Sequence, residues 1–269
     1  MVEKFQHKKS LGQHFLNSDY VPKKMCDAAN VADGDIVLEI GPGTGVLTRE
    51  ILRRGAQVIA VEADARAIES LNETFSTEIA AGQLTIFHHD ARELDMAAFG
   101  LVDQGFKVVA NIPYYISGLL FRQCLENDIQ PTDLVFLVQK EVAERIARDP
   151  KESILSLSVK VFGAPTYICT VKRGHFTPPP AVDSAVVSVH NISRENLINK
   201  GISEQKFFEL LHLAFGQKRK QLVGTLTSNK QFTRDDVLKI LQTCDISTTV
   251  RAEDMSLDDL LTVFAALSK

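Results

Sequence analysis

The sequence predicts an α/β protein: a doubly wound, mostly parallel seven-stranded sheet followed by a smaller all-helical domain. Three observations predict it. From Asp35 onward, short Val/Ile/Leu-rich runs alternate with helix-length amphipathic stretches, the order expected of parallel strands covered by helices. The first run ends in a glycine-rich turn, Gly41-Pro42-Gly43-Thr44-Gly45, with a helical pattern directly behind it. Near residue 191 the strand pattern stops, and the polar segment NISRENLINKGIS gives way to helical periodicity alone.

Taken in order, the strands are IVLEI (36–40), QVIAVE (57–62), LTIFHHD (84–90), KVVANI (107–112) and DLVFLVQ (133–139). They carry the near-continuous apolar runs of strands buried on both faces. TYICTVK and SAVVSVH complete the seven, with the proline-rich loop 177–180 between them. TGVLTREILRRG, ARAIESLNETFS, SGLLFRQCLEN and KEVAERIARD fill the gaps with apolar residues at helical spacing. The predicted domains are therefore 1–191 and 192–269. In the second, SEQKFFELLHLAFG, KRKQLVGTLTS, TRDDVLKILQTC and SLDDLLTVFAAL read as helices, with Ser203, Thr233 and Ser256 as N-caps.

Composition excludes several classes. The 269 residues are 45% hydrophobic and 24% charged, and no apolar run approaches the ~20 residues of a membrane helix. A membrane-spanning or wholly disordered chain is not expected. MVEKFQHKKSLGQHFL carries charges but no apolar stretch before a small-residue cleavage site, so the expected compartment is the cytoplasm. Cys26, Cys124, Cys169 and Cys244 include no C-x-x-C pair, which points away from a zinc site or a disulfide scaffold. The net charge of −4 hides a pattern: residues 1–24 carry five Lys or Arg against Glu3 and Asp19, and 200–230 carry six against Glu204 and Glu209. Anion-binding capacity is concentrated in two short segments of an otherwise acidic chain.

Ligands of doubly wound sheets bind beyond the carboxyl ends of the strands, at the point where the strand order reverses. The glycine turn falls there. The dinucleotide fingerprint needs a third glycine where this chain has Val46, so G-x-G-x-G after Glu39 suits a cofactor without phosphates. Glu62 ends the second strand, where a carboxylate accepts hydrogen bonds from both ribose hydroxyls; Asp90 ends the third, in reach of an adenine amino group. The ordered set points to S-adenosylmethionine.

The fourth strand ends in Asn111-Ile112-Pro113-Tyr114-Tyr115-Ile116-Ser117. Adenine N6 is a poor nucleophile because its lone pair is delocalised into the ring. Hydrogen bonds from N6–H to the Asn111 amide oxygen and the Ile112 carbonyl favour localising that pair. Pro113 fixes φ and adds no donor, and Tyr114 can stack on a base that has left its helical stack. His88-His89-Asp90 does not read as a metal site, since adjacent strand residues point to opposite faces. Lys140, Glu141 and Glu144 read as the solvated start of a helix.

On these motifs the chain resembles the ribosomal RNA adenine N6,N6-dimethyltransferase family. The likeness runs through KKSLGQHFL (8–16), LEIGPGTGVLT (38–48), VEAD (61–64), HHDA (88–91), NIPYYIS (111–117), FTPPPAVDSAV (176–186), AFGQKRKQL (214–222) and RAEDMSL (251–257). It implies a Rossmann-like methyltransferase sheet that uses S-adenosylmethionine, releases S-adenosylhomocysteine and needs no metal. His14, Leu16, Gly41, Gly43, Glu62, Asp90 and Asn111 are then the cofactor contacts, and Phe176 is a second aromatic opposite Tyr114. Lys218, Arg219 and Lys220, with Lys8 and Lys9, are the implied RNA contacts. The implied substrate is two neighbouring adenosines near the 3′ end of small-subunit (16S) rRNA, within a pre-30S or 30S particle, modified by a monomer with no membrane and no obligate protein partner. Rival readings are a large-subunit methyltransferase of the antibiotic-resistance type, an assembly factor that acts mainly by binding, and a DNA adenine methyltransferase. GQHFL, FTPPPAVDSAV and RAEDMSL favour the small-subunit enzyme.

Overall fold

The structure, a computed structural model, describes residues 14–217 and 219–268. In chain order the elements of the first part are β1 (Phe15–Leu16), α1 (Tyr20–Ala28), β2 (Ile36–Ile40), α2 (Val46–Arg53), β3 (Gln57–Glu62), α3 (Ala65–Thr74), α4 (Ser76–Ala80), β4 (Leu84–His88), β5 (Lys107–Asn111), α5 (Ser117–Leu125), β6 (Asp133–Gln139) and α6 (Lys140–Ala147). Then follow α7 (Ile154–Lys160), β7 (Ala164–Val171), β8 (Phe176–Thr177), β9 (Ser184–His190), α8 (Glu195–Lys200), α9 (Glu204–Phe215), α10 (Leu222–Leu226), α11 (Arg234–Thr243) and α12 (Leu257–Leu267).

Seven strands form one sheet in the order β4-β3-β2-β5-β6-β9-β7. β2 through β6 run parallel, and β9 returns antiparallel to β6. Val37, Leu38, Ile40, Val108, Val109, Ala110 and the whole run Leu134–Val138 are fully buried, which is why these strands lack a polar alternation. From β2 the chain winds outward to β3 and β4, then crosses to the other side of β2 for β5. The order reverses between β2 and β5, and the register brings their carboxyl ends level with that of β3.

Contacts divide the chain into two compact units. The first runs to Glu144 and takes in Pro165–Ile192; the second comprises Arg145–Ala164 and the chain from Ser193. The chain passes into the second unit after Ile192, and Arg145–Ala164 groups with that helical unit. That segment holds α7, whose sequence ILSLSVK alternates polar and apolar residues as a strand would. A capping box decides for the helix: Ser153 accepts from the Ser156 backbone, and the Ser156 hydroxyl accepts from that of Ser153. Within this unit the buried faces of α9 (Phe207, Leu210, Leu211, Ala214) and α12 (Leu260, Leu261, Val263, Phe264) meet, with the Phe207 and Phe264 rings 6.0 Å apart. Ser203, Thr233 and Ser256 each cap the helix assigned to them.

Several other elements escaped the sequence reading. α1 carries Pro22 in its first turn, where a missing N–H costs nothing; α8 buries only Leu197; and β1 and β8, two residues each, pair antiparallel as a ribbon outside the main sheet. One predicted helix is shorter than expected. KRKQLVGTLTS becomes helical only at Leu222, because Arg219 takes a left-handed φ of 76° and Gln221 is the N-cap. Arg219 and Lys220 thus precede the helix as exposed residues and do not begin it. Among the described residues no helix is long and apolar enough to cross a membrane.

Candidate active site

A cavity opens in the first unit at the carboxyl ends of β2, β3 and β5, and it is lined by nine of the residues singled out from sequence: His14, Gly41, Gly43, Glu62, Asp90, Asn111, Ile112, Pro113 and Tyr114. Its floor is the glycine turn. Gly43 has φ 57°, and a Cβ there would come within 2.7 Å of the Phe15 ring, so both the backbone conformation and the approach of Phe15 require glycine. Gly45, at φ 76°, opens α2 with Phe75 in the space a side chain would need.

Glu62 is 7% exposed and held by backbone. Its Oε1 accepts from the N–H groups of Ala63 and Asp64, both at 2.9 Å, and its Oε2 accepts from Gly43 N–H at 3.1 Å. Burial pushes its pKa up, and the three N–H donors oppose that shift. Three of about four acceptor positions are used, so Oε2 is the oxygen left to receive a hydroxyl. Glu39, two residues before the turn, is a different kind of acid: 1% exposed, with its Oε2 accepting from Thr48 Oγ1 at 2.6 Å. Burial drives its pKa up to about 8 against the Thr48 hydrogen bond, with the Glu62 carboxylate adding to the rise. It lies beneath the turn and supports it.

Asp90 caps a short 3-10 turn, Ala91–Glu93, and both its oxygens are engaged by Arg92, the shortest contact being 2.6 Å. The hydrogen bonds from the Arg92 side chain hold its carboxyl below the usual range. The expected acceptor for an adenine amino group is therefore already paired to an exposed guanidinium.

At the end of β5 the Asn111 Nδ2 donates to the His14 carbonyl at 3.0 Å. That bond orients the amide and leaves Oδ1 as an acceptor on the cavity wall. His14 is itself fixed, its Nδ1 2.9 Å from the Pro178 carbonyl and its ring stacked on Tyr114 at 5.8 Å. The Tyr114 hydroxyl pairs with Ser184 Oγ at the start of β9, and burial raises its pKa. Ser184 and Pro178, which anchor these side chains, lie in the FTPPPAVDSAV motif but received no role from the sequence. Phe15, Arg92 and Tyr115 also line the cavity; only their neighbours in the motifs signalled them.

Two expected contacts are not brought to the cavity. Leu16 and Phe176 face each other across the β1–β8 ribbon, 6% and 2% exposed, within the apolar core. The pairing of the ribbon turns both side chains inward, away from a position where Phe176 could cover a base opposite Tyr114. Arg219 and Lys220 belong to the second unit. Lys8, Lys9 and Lys218 lie outside the described residues.

Among the described residues no group of three His, Cys, Asp or Glu side chains could hold a metal ion. His88 Nε2 and His89 Nε2 each meet a backbone carbonyl, those of Ala63 and Glu93. The donor set suits a nucleoside: buried carboxylate and amide acceptors, the apolar walls Ile40, Val61 and Ile112, and no unpaired cation such as a pyrophosphate would call for.

Comparison with known proteins agrees with this chemistry. A family model described as ribosomal RNA adenine dimethylase matches residues 4–269. A ribosomal RNA small subunit methyltransferase A from Dehalococcoides mccartyi is 38% identical, over 94% of this chain and 85% of its own. One from Fusobacterium nucleatum is also 38% identical, over 96% of each. Among solved structures, a dimethyladenosine transferase from Plasmodium falciparum superposes with a TM-score of 0.78 at 28% identity, covering 93% of this chain and 96% of that one. A 23S rRNA methyltransferase, ErmE, reaches 0.74 at 23% identity, covering 95% and 100%, a likeness of fold.

Proposed function

The chain belongs to the ribosomal RNA adenine dimethylase family, and from that premise we propose that it transfers methyl groups from S-adenosylmethionine to N6 of two adjacent adenosines near the 3′ end of small-subunit (16S) rRNA. Each becomes N6,N6-dimethyladenosine, in the cytoplasm, as a step in small-subunit biogenesis. The observation that carries the reading is Asn111, whose amide nitrogen is tied to the His14 carbonyl so that its oxygen is left for an N6–H donor. The names of the relatives favour the small subunit over the large one.

S-adenosylmethionine, when bound, supplies a methyl group on a sulfonium that is already an activated leaving group. The protein's task is then positioning. Glu62 Oε2 receives a ribose hydroxyl, Gly41 and Gly43 give the backbone close approach, and Asp90 meets the adenine edge once it shares its oxygens with Arg92. Asn111 Oδ1 and the Ile112 carbonyl accept from the target N6–H groups, and Tyr114 stacks on the target base with its hydroxyl held by Ser184. With N6 held in line with the sulfonium methyl, transfer would release S-adenosylhomocysteine, and the N6 proton, acidic once methylated, would pass to water. Phe176 acts through the ribbon that positions His14. Arg219 and Lys220, with Lys218, Lys8 and Lys9, neutralise RNA phosphates.

Incubation of the purified protein with methyl-labelled S-adenosylmethionine and small subunits, large subunits or DNA tests the reading. Label is expected in small-subunit rRNA alone, with Tyr114→Ala slowing single-turnover transfer at least about tenfold. Label in large subunits, or transfer by Tyr114→Ala at the parental rate, would sink the substrate or the stacking role respectively.

A further inference from the structure

The positive charge of residues 1–24 is only partly accounted for by the contacts above, since Lys23 and Lys24 belong to it and neither lines the cavity. Both lie on α1, beside Tyr20, which is 54% exposed. Lys24 Nζ sits 5.8 Å from the centre of the Tyr20 ring, and the centre of the His175 ring is 6.4 Å from it. His175 is preceded by Lys172, Arg173 and Gly174, all exposed. Asp183 pairs with the Lys172 ammonium at 2.8 Å and accepts from the Arg173 backbone N–H at 3.1 Å, whereas among the described residues no carboxylate forms a salt bridge with the side chains of Arg173, Lys23 or Lys24. Asp19 and Asp183 are the acids at the patch, Asp183 engaged by Lys172; Asp27 is engaged by Arg54.

The patch is tied to the cavity by the β1–β8 ribbon. Because the strands are antiparallel, one end of the ribbon sets His14 against Pro178, the cavity side, and the other sets Asn17 against His175. Asn17 holds that far end, its N–H donating to the His175 carbonyl at 3.0 Å and its Nδ2 to the Gly174 carbonyl and Thr177 Oγ1. The ribbon is two residues long, ~7 Å. An exposed aromatic ring among cations is the arrangement that binds a single nucleic-acid strand, the ring stacking on a base and the cations meeting phosphates.

We propose that Tyr20, Lys23, Lys24, Arg173 and His175 form a contact surface for the RNA strand flanking the target adenosine, carried by the catalytic unit itself. The inference rests on the reading of the chain as an RNA methyltransferase. It adds residues of α1 and of the segment before β8 to the RNA contacts expected at 218–220 and at Lys8 and Lys9.

The test uses the full-length chain in three forms: a triple variant (Lys23→Ala, Lys24→Ala, Arg173→Ala), Tyr20→Ala and Tyr20→Phe. For each, affinity for unmethylated small subunits is measured across a salt series, together with KM and kcat for methyl transfer, S-adenosylmethionine affinity and melting temperature. The triple variant is expected to lose about tenfold or more in affinity, with a salt slope shallower by ~2 to 3 log units per log unit of salt. Its KM for small subunits should rise while kcat stays within about twofold. Tyr20→Ala should raise KM several-fold and Tyr20→Phe should not, since the phenyl ring keeps the stacking face. A triple variant with the parental slope and KM overturns the proposal, as does an affinity loss accompanied by a fall in melting temperature or in S-adenosylmethionine affinity, which would make the patch structural. Tyr20→Phe as weak as Tyr20→Ala overturns the stacking role. The slopes are read from binding alone, so absence of methyl transfer by the parental protein would strike the proposed function and leave this surface to be decided by the slopes.

Discussion

Glu62 at the end of β3 and Asp90 just beyond the end of β4 both line the cavity, yet they are held in opposite ways. Glu62 is 7% exposed and fixed by three backbone N–H groups from two separate turns. The Asp90 side chain is 42% exposed and fixed chiefly by the side chain of Arg92, two residues on. A carboxylate held by backbone is part of the fold: it ties the glycine turn after β2 to the turn after β3 and cannot leave without disturbing both. A carboxylate held by an exposed arginine can exchange that partner for a ligand or for water at small expense. The inner end of the cavity is therefore preorganised by the chain's own conformation, and the rim is adjustable.

The largest effect expected is that of Glu62→Ala. It removes the ribose hydrogen bond to Oε2, a bond to a charged group and so ~1.5 to 3 kcal/mol, which weakens S-adenosylmethionine binding about ten- to hundredfold. It also leaves the N–H groups of Gly43, Ala63 and Asp64 without their acceptor, at ~1 to 3 kcal/mol for each that water does not reach. Titration calorimetry and thermal melting should thus report a joint loss of affinity and stability. Glu62→Gln, which keeps one acceptor oxygen, should lose less of both. A normal melting temperature with a large affinity loss would mean that the backbone ties matter less than the comparison says.

How much of this was legible in the sequence follows the same division. The strand ends and glycines could be read because a buried parallel strand writes a continuous apolar run and a close turn excludes side chains. IVLEI, QVIAVE, DLVFLVQ and SAVVSVH match their strands residue for residue. Features made by pairing distant segments could not be read. The Leu16–Phe176 ribbon joins residues 160 apart in the chain, with two-residue strands too short for any period to show. Ser184 under Tyr114, and the His14 carbonyl under Asn111, are likewise long-range partners. The sequence identified Asn111 and Tyr114 as chemistry but could not say what aims them, and it placed Phe176 by its motif where pairing with Leu16 turns it into the core.

A smaller effect, and a change of sign, is expected for Glu39→Gln. The native carboxyl titrates at about 8 against 4.5 for the free group, so between those values the folded chain keeps a proton that the unfolded chain has lost. The contribution of Glu39 to stability is greatest below pH ~4.5 and falls as pH rises toward 8, by about 1.4 kcal/mol per pH unit at the steepest. Glutamine keeps an acceptor for Thr48 and cannot ionise. Denaturant unfolding from pH 5 to 8 should show the variant losing less stability than the parent over that range. Parallel curves would mean that Glu39 is ionised in the fold, and that both acids at the inner end are held as Glu62 is.

Asp90→Ala should have the smallest effect, and its size decides whether the rim is as adjustable as its geometry implies. The substitution removes one acceptor for the cofactor's adenine and frees Arg92, whose side chain is 62% exposed and stays hydrated without a partner. The net loss in cofactor affinity is then that of a single hydrogen bond, ~0.5 to 1.5 kcal/mol or roughly two- to tenfold, with melting temperature nearly unchanged. Arg92 keeps the Asp90 carboxyl below the usual range, so this residue stays charged throughout pH 5 to 8 and adds no pH dependence to cofactor binding there. Asp90→Asn retains a carbonyl oxygen and should fall between parent and alanine variant. Calorimetry on the three proteins at pH 5.5 and 7.5 checks both points. A loss as large as that of Glu62→Ala would put Asp90 among the preorganised groups, with its ion pair to Arg92 a required part of the adenine site.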